Sequence, residues 1–179
     1  DVRELLVESP FDCRSNTRLY LGRRLPHPSD PSFAAAACEE IVKLIEASDG
    51  GAFVLTTSLR SMREFHETMK QQLEGRPLLL QGSAPKRSLL AAFQQSERAV
   101  LVATMSFWEG VDVPGNALRL VVLEKTPFSV PSDPLVEARA RKIEESGGNP
   151  FRELFLPTAQ MMLKQGFGRL IRTQRDRGV

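Results

Sequence analysis

The chain has 179 residues, 41% of them hydrophobic and 26% charged, a balance that gives a globular domain with a proper core and excludes a disordered chain. Its net charge of +2 permits a polyanionic partner without demanding one. No apolar run reaches membrane-spanning length, the first residues do not read as a signal peptide, and the separated pairs Cys13/Cys38 and His27/His66 predict neither a disulfide framework nor a metal site.

A reducing, cytoplasmic compartment is the expectation from this cysteine usage. The start at Asp1 and the close on Arg177-Gly178-Val179, directly after a charged turn, suggest a domain excised from a longer protein. One domain is expected over 1–179, with an opening segment at 1–31 and an α/β core at 32–179.

After Glu4–Val7, the stretch from Pro10 to Pro31 is rich in proline, arginine and polar residues. It reads as a surface crossing with a short strand at Leu19–Leu21. From Ser32 a helix is predicted, its apolar stripe Ala36, Ile41, Leu44 and Ile45 running to a stop at Gly50-Gly51. Short, nearly continuous apolar runs follow at Ala52–Leu55, Leu78–Leu80, Ala99–Ala103 and Leu118–Leu123. Runs without alternation fit strands buried on both faces of a parallel sheet. Between them lie amphipathic helices, Leu59–Leu73 with Met62, Phe65, Met69 and Leu73 at helical spacing, and Pro85–Gln95 with Leu89, Leu90 and Phe93. This alternation predicts a three-layer α/β domain with right-handed crossovers and a mostly parallel central sheet.

Ligands meet such a sheet at the loops leaving the carboxyl ends of its strands. After Leu55 comes Thr56-Thr57-Ser58. Hydroxyls and backbone N–H groups at a helix start suit a phosphate, and Ser58 as a plain helix cap fits equally well. After Ala103 comes Thr104–Gly115, T-M-S-F-W-E-G-V-D-V-P-G. Phe107 and Trp108 there either anchor a rigid loop or stack on bases. Asp112, between valines and before Pro-Gly, either accepts from a sugar hydroxyl or orders its own turn.

The last helix is predicted to begin near Pro157, with Ala159, Met162, Leu163, Gly166, Phe167 and Leu170 as its apolar stripe. Gln165, Arg169 and Arg172 would share another face of it. Two guanidiniums beside glycines form either a phosphate clamp or a solvated basic face. Gly82-Ser83-Ala84-Pro85-Lys86 lacks the spacing of a P-loop, and no Asp-Glu pair stands ready to hold magnesium. A complete nucleotide-hydrolysis site is absent.

Together these strings resemble a known family. Gln165–Arg172, Q-G-F-G-R-L-I-R, resembles helicase motif VI; Ser106–Gly115 resembles motif V of the DinG branch; and Phe53–Ser58 resembles motif IV. Leu123–Pro134, Asn149–Phe151, Ser9–Asp12 and Leu25–Pro28 are also similar to that family, so the likeness spans nearly the whole chain. It implies the second RecA-like motor domain of a DinG/XPD-like superfamily 2 DNA helicase, whose paired motor domains bind ATP between them.

The resemblance further implies roles. Arg169 and Arg172 would reach the triphosphate, one as the arginine finger, and Gln165 and Gly168 would line the nucleotide. Asp112, with Glu109 and Gly110, would couple nucleotide to the DNA-facing loop. Thr57, Ser58, Thr104 and Ser106 would contact single-strand phosphates, with Phe107 or Trp108 supporting the loop or stacking. ATP and Mg²⁺ would be shared with a first motor domain lying elsewhere, as would any iron–sulfur cluster. The implied partners are single-stranded DNA, on the nucleoid, and that first domain, which would dock on an exposed, partly apolar face of a monomer. Movement would run 5′→3′. The alternative is a RecA-like module that holds nucleic acid without a motor role; a Rossmann enzyme would need a G-x-G-x-x-G, which the sequence lacks.

Overall fold

In the computed structural model, which describes residues 4, 5, 11–108, 111, 113, 115–168, 170, 171 and 173–179, the apolar runs form strands β1 (Ala52–Thr56), β2 (Leu78–Leu80), β3 (Val100–Thr104) and β4 (Leu120–Leu123). All pair in parallel, in the order β2-β3-β1-β4. Both β1 and β3 are buried at every position, because successive side chains point to opposite faces and both faces are covered. Ala52, Val54, Val100, Val102 and Leu120 face one core cluster. Phe53, Leu55, Leu101 and Ala103 face the other.

The helices divide between these faces. The first cluster is closed by α2 (Phe33–Ala47) and α3 (Leu59–Gln72), following a short α1 at Cys13–Asn16. The predicted α3 stripe is buried throughout: Met62, Phe65, Met69 and Leu73. Burial of each contributes about 2 kcal/mol, which outweighs the helix's otherwise polar character. The second face is closed by α4 (Lys86–Gln95), through Leu89 and Phe93, and by Phe107, Val111, Val113, Leu170 and Ile171 from later loops. The result is the predicted three-layer α/β architecture, RecA-like in its arrangement.

Two expectations are corrected. Leu19–Leu21 forms no strand, and Leu19 and Leu21 are exposed. Pairing occurs slightly earlier: Thr17 bridges Gly178, and Val179 bonds Arg119 and Val121 along the outer side of β4. That edge is therefore met by the last residues, and Leu19–Leu21 has no strand to join. The opening segment is tied down instead by the Tyr20 hydroxyl donating to Glu40 of α2, which raises the Tyr20 pKa and lowers that of Glu40.

The second correction concerns the final helix. Here α6 (Leu156–Phe167) follows a π-helical turn at Phe151–Phe155, and it ends with Gly168 as its C-cap, before Leu170. Gly166 and Gly168 weaken helix propensity, and Leu170 and Ile171 are both buried against the second face of the sheet. The helix ends at its Gly168 cap, and the chain beyond it carries Leu170 and Ile171 into the core from outside the helix. Beyond them the buried carboxylate of Asp176 accepts from the Thr173 N–H at 2.7 Å and its hydroxyl at 2.6 Å, closing a turn. The helical face expected to unite Gln165 with positions 169 and 172 therefore does not continue past Phe167. An additional helix, α5 (Pro134–Glu145), is capped by Asp133 and buries no residue. Its half-buried residues Val136, Ala140 and Ile143 lie at helical spacing, a short stripe that the sequence reading passed over.

Burial also settles the cysteines. Cys38 lies fully inside the α2 layer, and desolvation pushes its thiol up to about 12, whereas Cys13 is half-exposed. A buried, protonated thiol is a poor nucleophile. A thiol-specific reagent at mildly alkaline pH is therefore expected to label Cys13 in the native protein and to reach Cys38 only after denaturant is added. Equal labelling rates would contradict the packing of α2.

Candidate functional site

Parallel strands in register bring their carboxyl ends to one edge. Thr56 of β1 lies opposite Thr104 of β3, Leu55 opposite Leu123 of β4, and Leu80 of β2 opposite Val102. The residues leaving these ends, Gln81, Thr57, Met105 and Glu124, therefore form one row. The neighbours β1 and β3 send their loops to opposite faces of the sheet. From β1 the chain enters α3, on the first cluster; from β3 it enters the 3-10 turn Met105–Trp108, whose Phe107 packs in the second. Such divergence opens the crevice where α/β sheets bind ligands.

Side-chain hydrogen bonds cross this row. The Glu124 carboxylate, on a side chain only 1% exposed, accepts from the Thr57 N–H at 3.0 Å and from its hydroxyl at 3.3 Å. Its other oxygen meets the Lys125 ammonium at 3.2 Å, which in turn sits 5.1 Å from the centre of the Phe33 ring. A buried carboxylate needs such partners to offset its lost hydration. On the β3 side, the Gln81 amide oxygen accepts from the Thr104 N–H at 2.7 Å and from its hydroxyl at 3.0 Å. The Thr104 hydroxyl also lies 2.9 Å from that of Ser106. The buried Thr56 hydroxyl donates to the Ser58 carbonyl at 3.0 Å.

All four hydroxyls expected to contact DNA are hydrogen-bonded within the protein, and they differ in exposure: Thr104 is buried, whereas Thr57, Ser58 and Ser106 are exposed. Ser58 caps α3 by accepting from the Ser61 N–H at 3.0 Å, so the cap reading of this position is realised. Phe107 is 6% exposed and carries the Lys86 ammonium 5.0 Å from its ring centre. Its ring anchors the loop in the core and presents no open stacking face. Trp108 ends the 3-10 turn, and its side chain lies outside the described residues.

Of the nucleotide-side residues, Gln165 is exposed on the last turns of α6 and Gly168 is its exposed C-cap. Glu109, Gly110, Asp112, Arg169 and Arg172 lie outside the described residues. Among the described residues no group of His, Cys, Asp or Glu is arranged to hold a metal ion, and no helix is long and apolar enough to cross a membrane.

Sequence reasoning missed Gln81 and Glu124, although each left a signal. Both are polar residues placed directly after an apolar strand run, Leu78–Leu80 and Leu120–Leu123. The first position outside a buried parallel strand is where a side chain can reach across to the next loop.

Comparison with known proteins adds an independent line. Residues 41–179 match the helicase C-terminal domain family. The chain is 45% identical over 175 residues to the ATP-dependent DNA helicase YoaA of Escherichia coli, covering 98% of this chain and 27% of that protein. It is 40% identical over 178 residues to the ATP-dependent helicase DinG of Mycobacterium tuberculosis, covering 99% of this chain and 27% of that protein. With the 3'-5' exonuclease DinG of Bacillus subtilis the identity is 31% over 184 residues, covering 99% of this chain and 20% of that one.

Proposed function

Because this chain belongs to the helicase C-terminal domain family, in the group of the YoaA and DinG helicases, we propose that it is the second motor domain of an ATP-dependent DNA helicase, working 5′→3′ on single-stranded DNA. The observation that carries this reading is the pair of hydrogen-bonded ties at the carboxyl edge of the sheet, Gln81 with Thr104 joining the ends of β2 and β3, and Thr57 with Glu124 joining those of β1 and β4. A motor domain needs such coupling, because a loop that grips the strand must move as one body with the element that senses nucleotide.

In this division of labour the strand phosphates meet Ser58 and Ser106 directly. Thr57 and Thr104 hold those loops in register and reach a phosphate by rotating their hydroxyls away from Glu124 and Gln81. Gln165 and Gly168 face the nucleotide, Arg169 and Arg172 meet the triphosphate, and Glu109, Gly110 and Asp112 couple the two. ATP is the substrate, bound with Mg²⁺ against a first motor domain that supplies the phosphate cradle; an iron–sulfur cluster would also belong there. The exposed apolar side chains Phe128, Leu135, Phe151 and Met161 give that domain a surface to dock on.

The test is ATP hydrolysis with and without single-stranded DNA, by the full-length protein and by the 179-residue chain alone. The full-length protein is expected to turn over ATP with strong stimulation by the strand, and the chain alone to be inert. Hydrolysis by the chain alone would overturn the shared-site reading, and a full-length protein indifferent to DNA would overturn the motor.

A further inference from the structure

Gln81 has a second half. Its amide orientation is fixed by chemistry, since only the oxygen can accept from the Thr104 N–H. The Nε2 group therefore points away from Thr104, and among the described residues it has no hydrogen-bond partner. Gln81 lines an open cleft of about 340 Å³ between the first turn of α3 and the loop after β2, together with Leu59, Met62, Arg63, Leu80 and Ser83. Leu59 is 55% exposed at its rim, an unusual position for a large aliphatic side chain beside the expected DNA-facing edge. The Arg63 guanidinium is exposed and makes no ion pair among the described residues.

We propose that this cleft is a subsite for one unstacked nucleobase of the bound single strand, with Leu59 against the base face and Gln81 Nε2 donating to a base carbonyl. The inference rests on the motor reading above and deepens it by adding a base contact to the phosphate contacts. The lining selects a base over a bare phosphate because much of it is apolar, and a planar heterocycle covers such surface while a phosphate does not. With its oxygen committed, Gln81 can only donate, so a base rich in carbonyl oxygens, thymine above all, suits it better than adenine, which presents an amine. Arg63 is left for the adjoining phosphate.

The experiment measures binding of the full-length protein to oligo-dT, oligo-dA and an abasic oligomer of equal length, with Gln81→Glu and Leu59→Ala variants. Glutamate keeps an acceptor for Thr104 and removes the donor; Leu59 sits on an exposed helix turn whose truncation spares the core. The ratio of dT to abasic affinity is the readout, since it cancels any uniform effect of the added charge. Wild-type protein is expected to prefer dT over dA, and each variant to lower the dT-to-abasic ratio by about fivefold, the worth of one hydrogen bond or its apolar equivalent. An unchanged ratio in both variants, with strand binding intact, overturns the base subsite and leaves the motor reading standing. A loss confined to Arg63→Ala, seen as a weaker salt dependence without any change in the ratio, would make the cleft a phosphate site and also overturn it. A full-length protein that binds no single strand removes the motor reading and this inference together.

Discussion

Replacing Arg172 or Arg169 by alanine in the full-length protein is expected to lower strand-stimulated ATP turnover, by about a thousandfold or more at whichever residue is the finger. The charge on a transferring phosphoryl group grows toward its transition state, and a guanidinium meeting it across a domain cleft stabilises that state selectively. Between these arginines Leu170 and Ile171 are buried against Phe53 and Leu55 of β1 and its surroundings, so this stretch is anchored to the same sheet that holds the strand-facing loops. Lysine at the finger position is expected to recover only part of the activity, because it keeps the charge and loses the fork of donors. Single-strand binding should survive each change, since its contacts lie on other loops. Unchanged turnover in one variant removes the finger assignment from that residue; unchanged turnover in both removes the shared site.

The largest effect on stability should come from Gly50→Ala. Residues Asp49, Gly50 and Gly51 form a corner with φ of 56°, 83° and 61° that turns the end of α2 into β1. A Cβ on Gly50 would stand 2.4 Å from the Arg98 carbonyl oxygen and 2.7 Å from its Cα. Those are backbone atoms leading into β3, which cannot swing aside as a side-chain tip could. Nor is the corner free to relax. Arg119 donates to the carbonyls of Ser48, Asp49 and Glu97 at 2.9 Å and of Asn116 at 3.1 Å, while the Asp49 carboxylate pairs with Arg98 at 3.0 Å and Arg76 at 3.3 Å. Adding the left-handed penalty to the overpacking, the cost is about 3 kcal/mol or more, a large share of the roughly 5–15 kcal/mol that holds a domain together. The thermal midpoint should fall by roughly 10 °C. Gly75→Ala is the control, since its φ is 78° but nothing lies within 4 Å of the added carbon, leaving about 1 kcal/mol of backbone cost. Equal shifts for the two variants would mean that steric contact at Gly50 is not what fixes the corner.

The sequence by itself determined the layered plan. Apolar residues at successive positions of Ala52–Leu55, Leu78–Leu80 and Ala99–Ala103 can be satisfied only by strands covered on both faces, and the helical spacing of Met62, Phe65, Met69 and Leu73 supplies one of the covers. Periodicity is a local property, so it survives being read along the chain. It also placed Thr57, Ser58, Thr104 and Ser106 on the carboxyl edge, because strand direction follows from the connections. The tertiary structure alone decided where α6 stops and what the edge residues do. The helix stops at its Gly168 cap although a helical pattern runs on in the sequence as far as Arg172, and periodicity alone does not report where the chain turns to carry Leu170 and Ile171 into the core. Absence of a sheet partner likewise cancelled the strand expected at Leu19–Leu21. The bonds from Gln81 to Thr104 and from Glu124 to Thr57 join residues 23 and 67 positions apart. Their geometry comes from the strand order, which puts β2 beside β3 and β4 beside β1, and a polar residue at a strand end acquires its partner only when that order exists.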